Sequence, residues 1–163
     1  MTHIISLPGS YNDHKAHKTI FNALGATFFI TSSAEAVVGE IKKNTPSIIL
    51  LHYAWMDPYE NRMQSDIENT PSAKNIPVIA LHGNPKWVQP SVVSQFRKTF
   101  NLVGLLPLTA QHSNRRNRAR NENGYLTPEP IIQSTLRSLL EQKDTPITPK
   151  MFEKAKTIKP QIL

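Results

Sequence analysis

Two histidines close two aliphatic runs: SIILLH ends on His52 and IPVIALH ends on His82. Imidazole suits transition metals and titrates near neutral pH, so a histidine at the end of a buried strand is a candidate ligand or proton carrier. With a carboxylate such as Asp57, or with His112, the pair would supply nitrogen and oxygen ligands for Zn²⁺. The 30-residue separation is not a metal-motif spacing, however, and no third ligand is fixed by the chain. The plainer expectation is that each imidazole hydrogen-bonds its neighbours and fills space, with no resident metal and no cofactor.

Other chemistry has less to work with. There is no cysteine, no Gly-x-Ser-x-Gly turn and no pair of catalytic carboxylates, so a nucleophilic or hydrolytic enzyme is not expected. Pro8-Gly9-Ser10 could present backbone N–H groups to an anion at a helix start, yet it matches neither the P-loop nor the dinucleotide fingerprint. Four arginines, Arg115, Arg116, Arg118 and Arg120, form the other candidate anion site, because guanidinium groups clamp phosphates. No aromatics interleave them, and no helix-turn-helix or zinc finger follows, so a solvated loop is the simpler expectation.

The elements that must position these residues alternate. His3–Leu7 is a short apolar run stopped by Pro8-Gly9, and a helix follows to about Leu24, capped by Asn12 or Asp13, with Ala16, Ile20, Phe21 and Leu24 at helical spacing and Gly25 as its stop. Thr27–Thr31 is a second strand. A helix capped by Ser32 or Ser33 then carries Ala36, Val37 and Ile41 as far as Asn44 and Pro46. Ile48–Leu51 suits a strand buried on both faces. A polar stretch from Met56 to Asn75 suggests a loop with a helix near Glu60–Glu68. A strand at Ile76–His82, a helix at Pro90–Phe100, a strand at Leu102–Leu108 and a helix at about Glu129–Gln142 complete the series. Strict alternation with five strands predicts a three-layer, doubly wound parallel sheet. In such sheets ligands gather at the carboxyl ends of the strands, where His52 and His82 both fall.

The 163 residues make about one domain, and no apolar stretch is long enough for a membrane span. With no cysteine and no signal-like start, a soluble cytoplasmic protein is expected. The net charge of +7 lies largely in the last third, in the 111–130 loop and in a tail at 143–163 carrying Lys150, Lys154, Lys156 and Lys159. That tail carries one amphipathic turn around Met151–Ile158, after a domain spanning 1–142. Such a balance favours acidic partners, nucleic acid included.

Two stretches resemble response-regulator receiver domains. NTPSIILLHYAW is similar to the receiver third-strand pattern, which ends on the phosphoacceptor aspartate, and TPSAKNIPVIALHG is similar to the lead into the fourth strand. Gly25 and Gly104 fit the same alignment. The resemblance implies a CheY-like, flavodoxin-like sheet of order 2-1-3-4-5 and a role in two-component signalling. It also marks departures. Leu7, Pro8 and Gly9 stand where the family places its acidic pair, His52 where it places the acceptor, His82 where it places a threonine or serine, and Leu108 where it places a lysine. The implied protein is a degenerate receiver, a pseudo-receiver that is not phosphorylated and acts by protein–protein interaction with a sensor kinase or regulator.

Trp55, Tyr59 and Trp87, in the loops after strands three and four, are candidate partner contacts, as aromatics are enriched in hot spots. In receivers the fourth helix, fifth strand and fifth helix form the dimer surface, which brings in Phe96 and Leu105 and suggests a homodimer. Two alternatives stand beside this reading: a nucleic-acid-associated regulator using the arginine loop, and a metal or small-ligand sensor built on His52 and His82.

Overall fold

The computed structural model describes residues 2–9, 11–57, 65, 69–82, 88–107, 129–142 and 145–156. Five strands, β1 (His3–Leu7), β2 (Thr27–Ile30), β3 (Ile48–His52), β4 (Pro77–His82) and β5 (Asn101–Pro107), form one sheet in the order β2-β1-β3-β4-β5. Every neighbouring pair is parallel. The helices between them are α1 (Tyr11–Leu24), α2 (Ala34–Lys43), α3 (Pro90–Thr99, the fourth helix of the sequence reading), α4 (Glu129–Leu140) and α5 (Pro149–Lys156).

Strand alternation divides the core into two layers. Ile5, Leu7, Ile49, Leu51, Val78 and Ala80 face α2 and α3, whereas Ile4, Ile48, Leu50, Ile79 and Leu81 face α1, α4 and α5. β3 is central, so Ile48–Leu51 are buried on both sides, as their unbroken aliphatic run requires. β2 lies at an edge, and Phe28, Phe29 and Ile30 stay half-exposed.

Local signals explain most boundaries. Ser33 caps α2 by accepting from the Ala36 N–H at 3.3 Å, and Glu35 in the first turn with Lys42 and Lys43 in the last suit the helix dipole. Gly25 takes φ +64 at the end of α1, where a side chain would be strained. The start of α1 differs from expectation. Helix begins at Tyr11, so Asn12 and Asp13 lie inside the first turn rather than at the cap. Ser65 is helical, and the rest of the expected 60–68 helix lies outside the described residues, as does the 111–128 part of the basic loop.

The C-terminal segment also differs. Residues 149–156, expected in a tail, form α5, whose Phe152 and Ala155 are buried against β5 and α4. The seat for this helix is Gly104 in β5: a Cβ there would collide with the Phe152 ring, so only glycine lets the phenyl lie against the strand. The lysines hid this. Lys150, Lys154 and Lys156 are exposed around a short stretch of apolar contact, Lys156 with its Nζ 5.4 Å from the Phe152 ring centroid.

Candidate functional site

The carboxyl end of a parallel sheet collects the residues that follow each strand, and here that edge is built from β1, β3 and β4. Leu7 is fully buried, Pro8 is buried, and Gly9 lies at the surface. Facing Gly9 is the imidazole of His52: a Cβ on Gly9 would stand 2.7 Å from His52 Cγ, so the ring packs directly on the β1–α1 loop. His52 Nδ1 accepts from the Ala54 N–H at 3.1 Å, which fixes the ring and caps the 3-10 turn Tyr53–Met56. An accepting Nδ1 makes Nε2 the protonated nitrogen of the neutral ring.

That turn seals the pocket further. Trp55, half-buried, donates its indole N–H to the Pro8 carbonyl at 3.3 Å, and Met56 is fully buried in the α2/α3 layer. Tyr53 holds the turn from the other side, its hydroxyl accepting from the Gln89 N–H at 2.8 Å, just before α3.

His82 sits at the end of β4 as expected, 8% exposed. Its strand neighbour is not His52, however: His52 pairs with Leu81, so His82 lies one residue further along. By alternation His52 continues the series Ile48 and Leu50 toward α1, while His82 continues Val78 and Ala80 toward the other layer. The His52 imidazole is still near enough to His82 to add like-charge repulsion, and among the described residues no three His, Asp or Glu side chains are placed to hold a metal ion.

One histidine outside the sequence candidates belongs to this edge. His17, on α1, is 2% exposed and shares a 2.6 Å hydrogen bond between Nδ1 and Ser6 Oγ of β1. Burial pushes the His17 imidazole down to about 3, with His14 and His52 adding like-charge repulsion in the same direction. Burial, and then His52, also lowers His82. His17 Nε2 and His82 Nδ1 are buried with no hydrogen-bond partner among the described residues. The sequence signal for His17 was its spacing: His17, Ile20, Phe21 and Leu24 follow the i, i+3, i+4, i+7 rule of a buried face.

The remaining sequence candidates divide. Phe96 is fully buried, stacked on Phe100 with centroids 4.1 Å apart, so it is a core residue and not a partner contact. Leu105 is half-buried against the α2/α3 layer. Tyr59, Trp87, Leu108, His112, Arg115, Arg116, Arg118 and Arg120 lie outside the described residues.

No protein-family model and no curated protein matches the sequence. Solved structures do resemble the fold. The N-terminal domain of a response regulator receiver protein from Methanoculleus marisnigri JR1 is 17% identical with a TM-score of 0.52, over 76% of this chain and 93% of that one. The Vibrio cholerae chemotaxis protein CheY4 is 13% identical with a TM-score of 0.52, over 77% and 99%. A signal receiver domain of a two-component histidine kinase from Clostridium thermocellum is 15% identical with a TM-score of 0.51, over 78% and 98%. This is the receiver fold. Sheet order and flanking helices match the architecture that the resemblance implied. Among the described residues no helix is long and apolar enough to cross a membrane.

Proposed function

We propose that this chain is a pseudo-receiver, a cytoplasmic signalling module that works without phosphorylation, by contact with a protein partner such as a sensor kinase or regulator. The observation that supports this reading is the filled carboxyl edge, where the His52 ring packs on Gly9 and Trp55 bonds to Pro8. A phosphoryl group carries close to two negative charges, and its transfer rests on cations and dipoles aimed at it. Mg²⁺ needs oxygen ligands. Leucine, proline, glycine and imidazole stand at those positions here, and His17 beneath them is neutral at pH 7.

Output then rests on shape. Half-buried Trp55, with Val92 and Val93 of α3, offers apolar surface beside this edge. A homodimer through α3, β5 and α4 has to accommodate α5, which already packs on β5 and α4.

Incubation with acetyl phosphate and Mg²⁺, followed by intact-mass measurement and thermal melting, tests the reading. Mass and melting temperature are expected to stay unchanged, while Trp55→Ala is expected to abolish co-purification with a specific kinase or regulator. A phosphoryl group on Asp57 would overturn it.

A further inference from the structure

In a parallel sheet every strand starts at the same edge, so the residues leading into the strands are gathered there. In this chain Thr2 precedes β1, Ser47 precedes β3, Asn75 lies two residues before β4, and Asn101 opens β5. The connector from α4 to α5 passes the same edge and contributes Gln142 and Ile147, with Leu140 at the end of α4. Between them lies a cleft of about 760 Å³. That volume is within the range of small-molecule sites.

The chemistry of the lining is selective. In a chain of net charge +7, none of the described residues that line the cleft is charged, which favours an uncharged ligand over a phosphate or a metal cation. Three are primary amides, Asn75, Asn101 and Gln142. Each amide offers an adjacent donor and acceptor, the pairing that nucleobase edges present in return. The Asn101 amide donates to the Asn75 backbone carbonyl at 3.5 Å, which orients it at the start of β5. Leu140 and Ile147 supply an apolar wall, suited to the face of a planar ring. We infer that this amino-end cleft is a binding site for an uncharged nucleobase or nucleoside. It lies at the opposite edge from the partner reading and does not depend on it.

The test is titration of the full chain, ¹⁵N-labelled, with adenosine, guanosine, cytidine and uridine and with their 5′-monophosphates. At least one nucleoside is expected to shift the side-chain amide signals of Asn75, Asn101 and Gln142, and its 5′-phosphate is expected to change the affinity by less than about threefold, since none of the described lining residues is a cation. Asn101→Ala is expected to weaken binding about tenfold, the worth of one directed hydrogen bond. Gln142 is exposed, so Gln142→Ala gives the same reading in a chain whose fold is undisturbed should Asn101→Ala fail to fold. Absence of shifts with all four nucleosides at millimolar concentration would overturn the inference. So would monophosphates binding much more tightly than nucleosides, or binding that Gln142→Ala leaves unaltered.

Discussion

Two glycines, Gly9 and Gly104, solve the same packing problem in two parts of the molecule with different consequences. Each lies under an aromatic ring that a Cβ would strike, His52 over the first and Phe152 over the second. At β5 the ring is phenyl, fully buried, and its role is to fix α5 to the sheet. At the carboxyl edge the ring is imidazole, held by a hydrogen bond to Ala54, and it packs on the β1–α1 loop at the edge where open α/β sheets receive ligands. One contact extends the core and the other lies at the strand ends. At the seam Lys156 Nζ lies 5.4 Å from the Phe152 ring centroid, whereas behind the carboxyl edge burial lowers the His17 and His82 imidazoles.

The largest effect expected from breaking this pair is at β5. Gly104→Ala is expected to cost about 3 kcal/mol or more, because the Cβ must displace either the ring or the strand. Phe152→Ala is expected to cost a similar amount, and the double variant no more than Phe152→Ala alone, since the clash is gone. Additive losses in urea melts would show that the two residues do not meet.

Acid sharpens the contrast. Burial holds His17 near 3 in the folded chain, while the unfolded histidine titrates near 6.5. Below 6.5 the unfolded chain therefore takes up a proton that the folded chain refuses, so stability present above that pH is lost as the pH falls toward 3. From pH 6.5 to 5 the loss is about 2 kcal/mol, and the buried His82 adds in the same direction. His17→Leu is expected to flatten the profile, and the cost of Gly104→Ala is expected to be the same at both ends of it. A profile unaltered in His17→Leu would place the acid sensitivity elsewhere.

Smaller effects belong to the carboxyl edge. Gly9→Ala is expected to cost about 1.5 kcal/mol, less than at β5 because the Gly9 side lies at the surface and the imidazole can yield, and His52→Ala is expected to remove the penalty. Trp55→Phe, which deletes the bond to the Pro8 carbonyl and keeps the ring, is expected to cost about 1 kcal/mol in the same melts.

How legible these regions were in the sequence follows the same division. β1, β3 and β4 were readable as aliphatic runs closed by proline, glycine or histidine; strict alternation predicted a parallel doubly wound sheet, and its strand order came from the resemblance to receivers. The carboxyl-edge placement of His52 and His82 was readable too, but not their one-residue offset, because strand register is set by contacts distant in sequence. His17 escaped because imidazole was counted as polar, although it fills a buried helical position. Phe96 falls on the partner surface that the receiver resemblance implies, yet its ring stacks on Phe100 inside the core. α5 was hidden by its lysines, and Gly104 carries no sign in the sequence that a ring from 48 residues further on lies against it.

The most direct test of the filled carboxyl edge is an NMR titration of the full chain with Mg²⁺ to millimolar concentration, observing the Gly9, Ala54 and Asp57 amides and the His52 ring. These signals are expected to stay where they are. A saturable shift converging on Gly9 and Asp57 would mean that oxygen donors assemble around the ion, and would contradict the proposed phosphorylation-independent role.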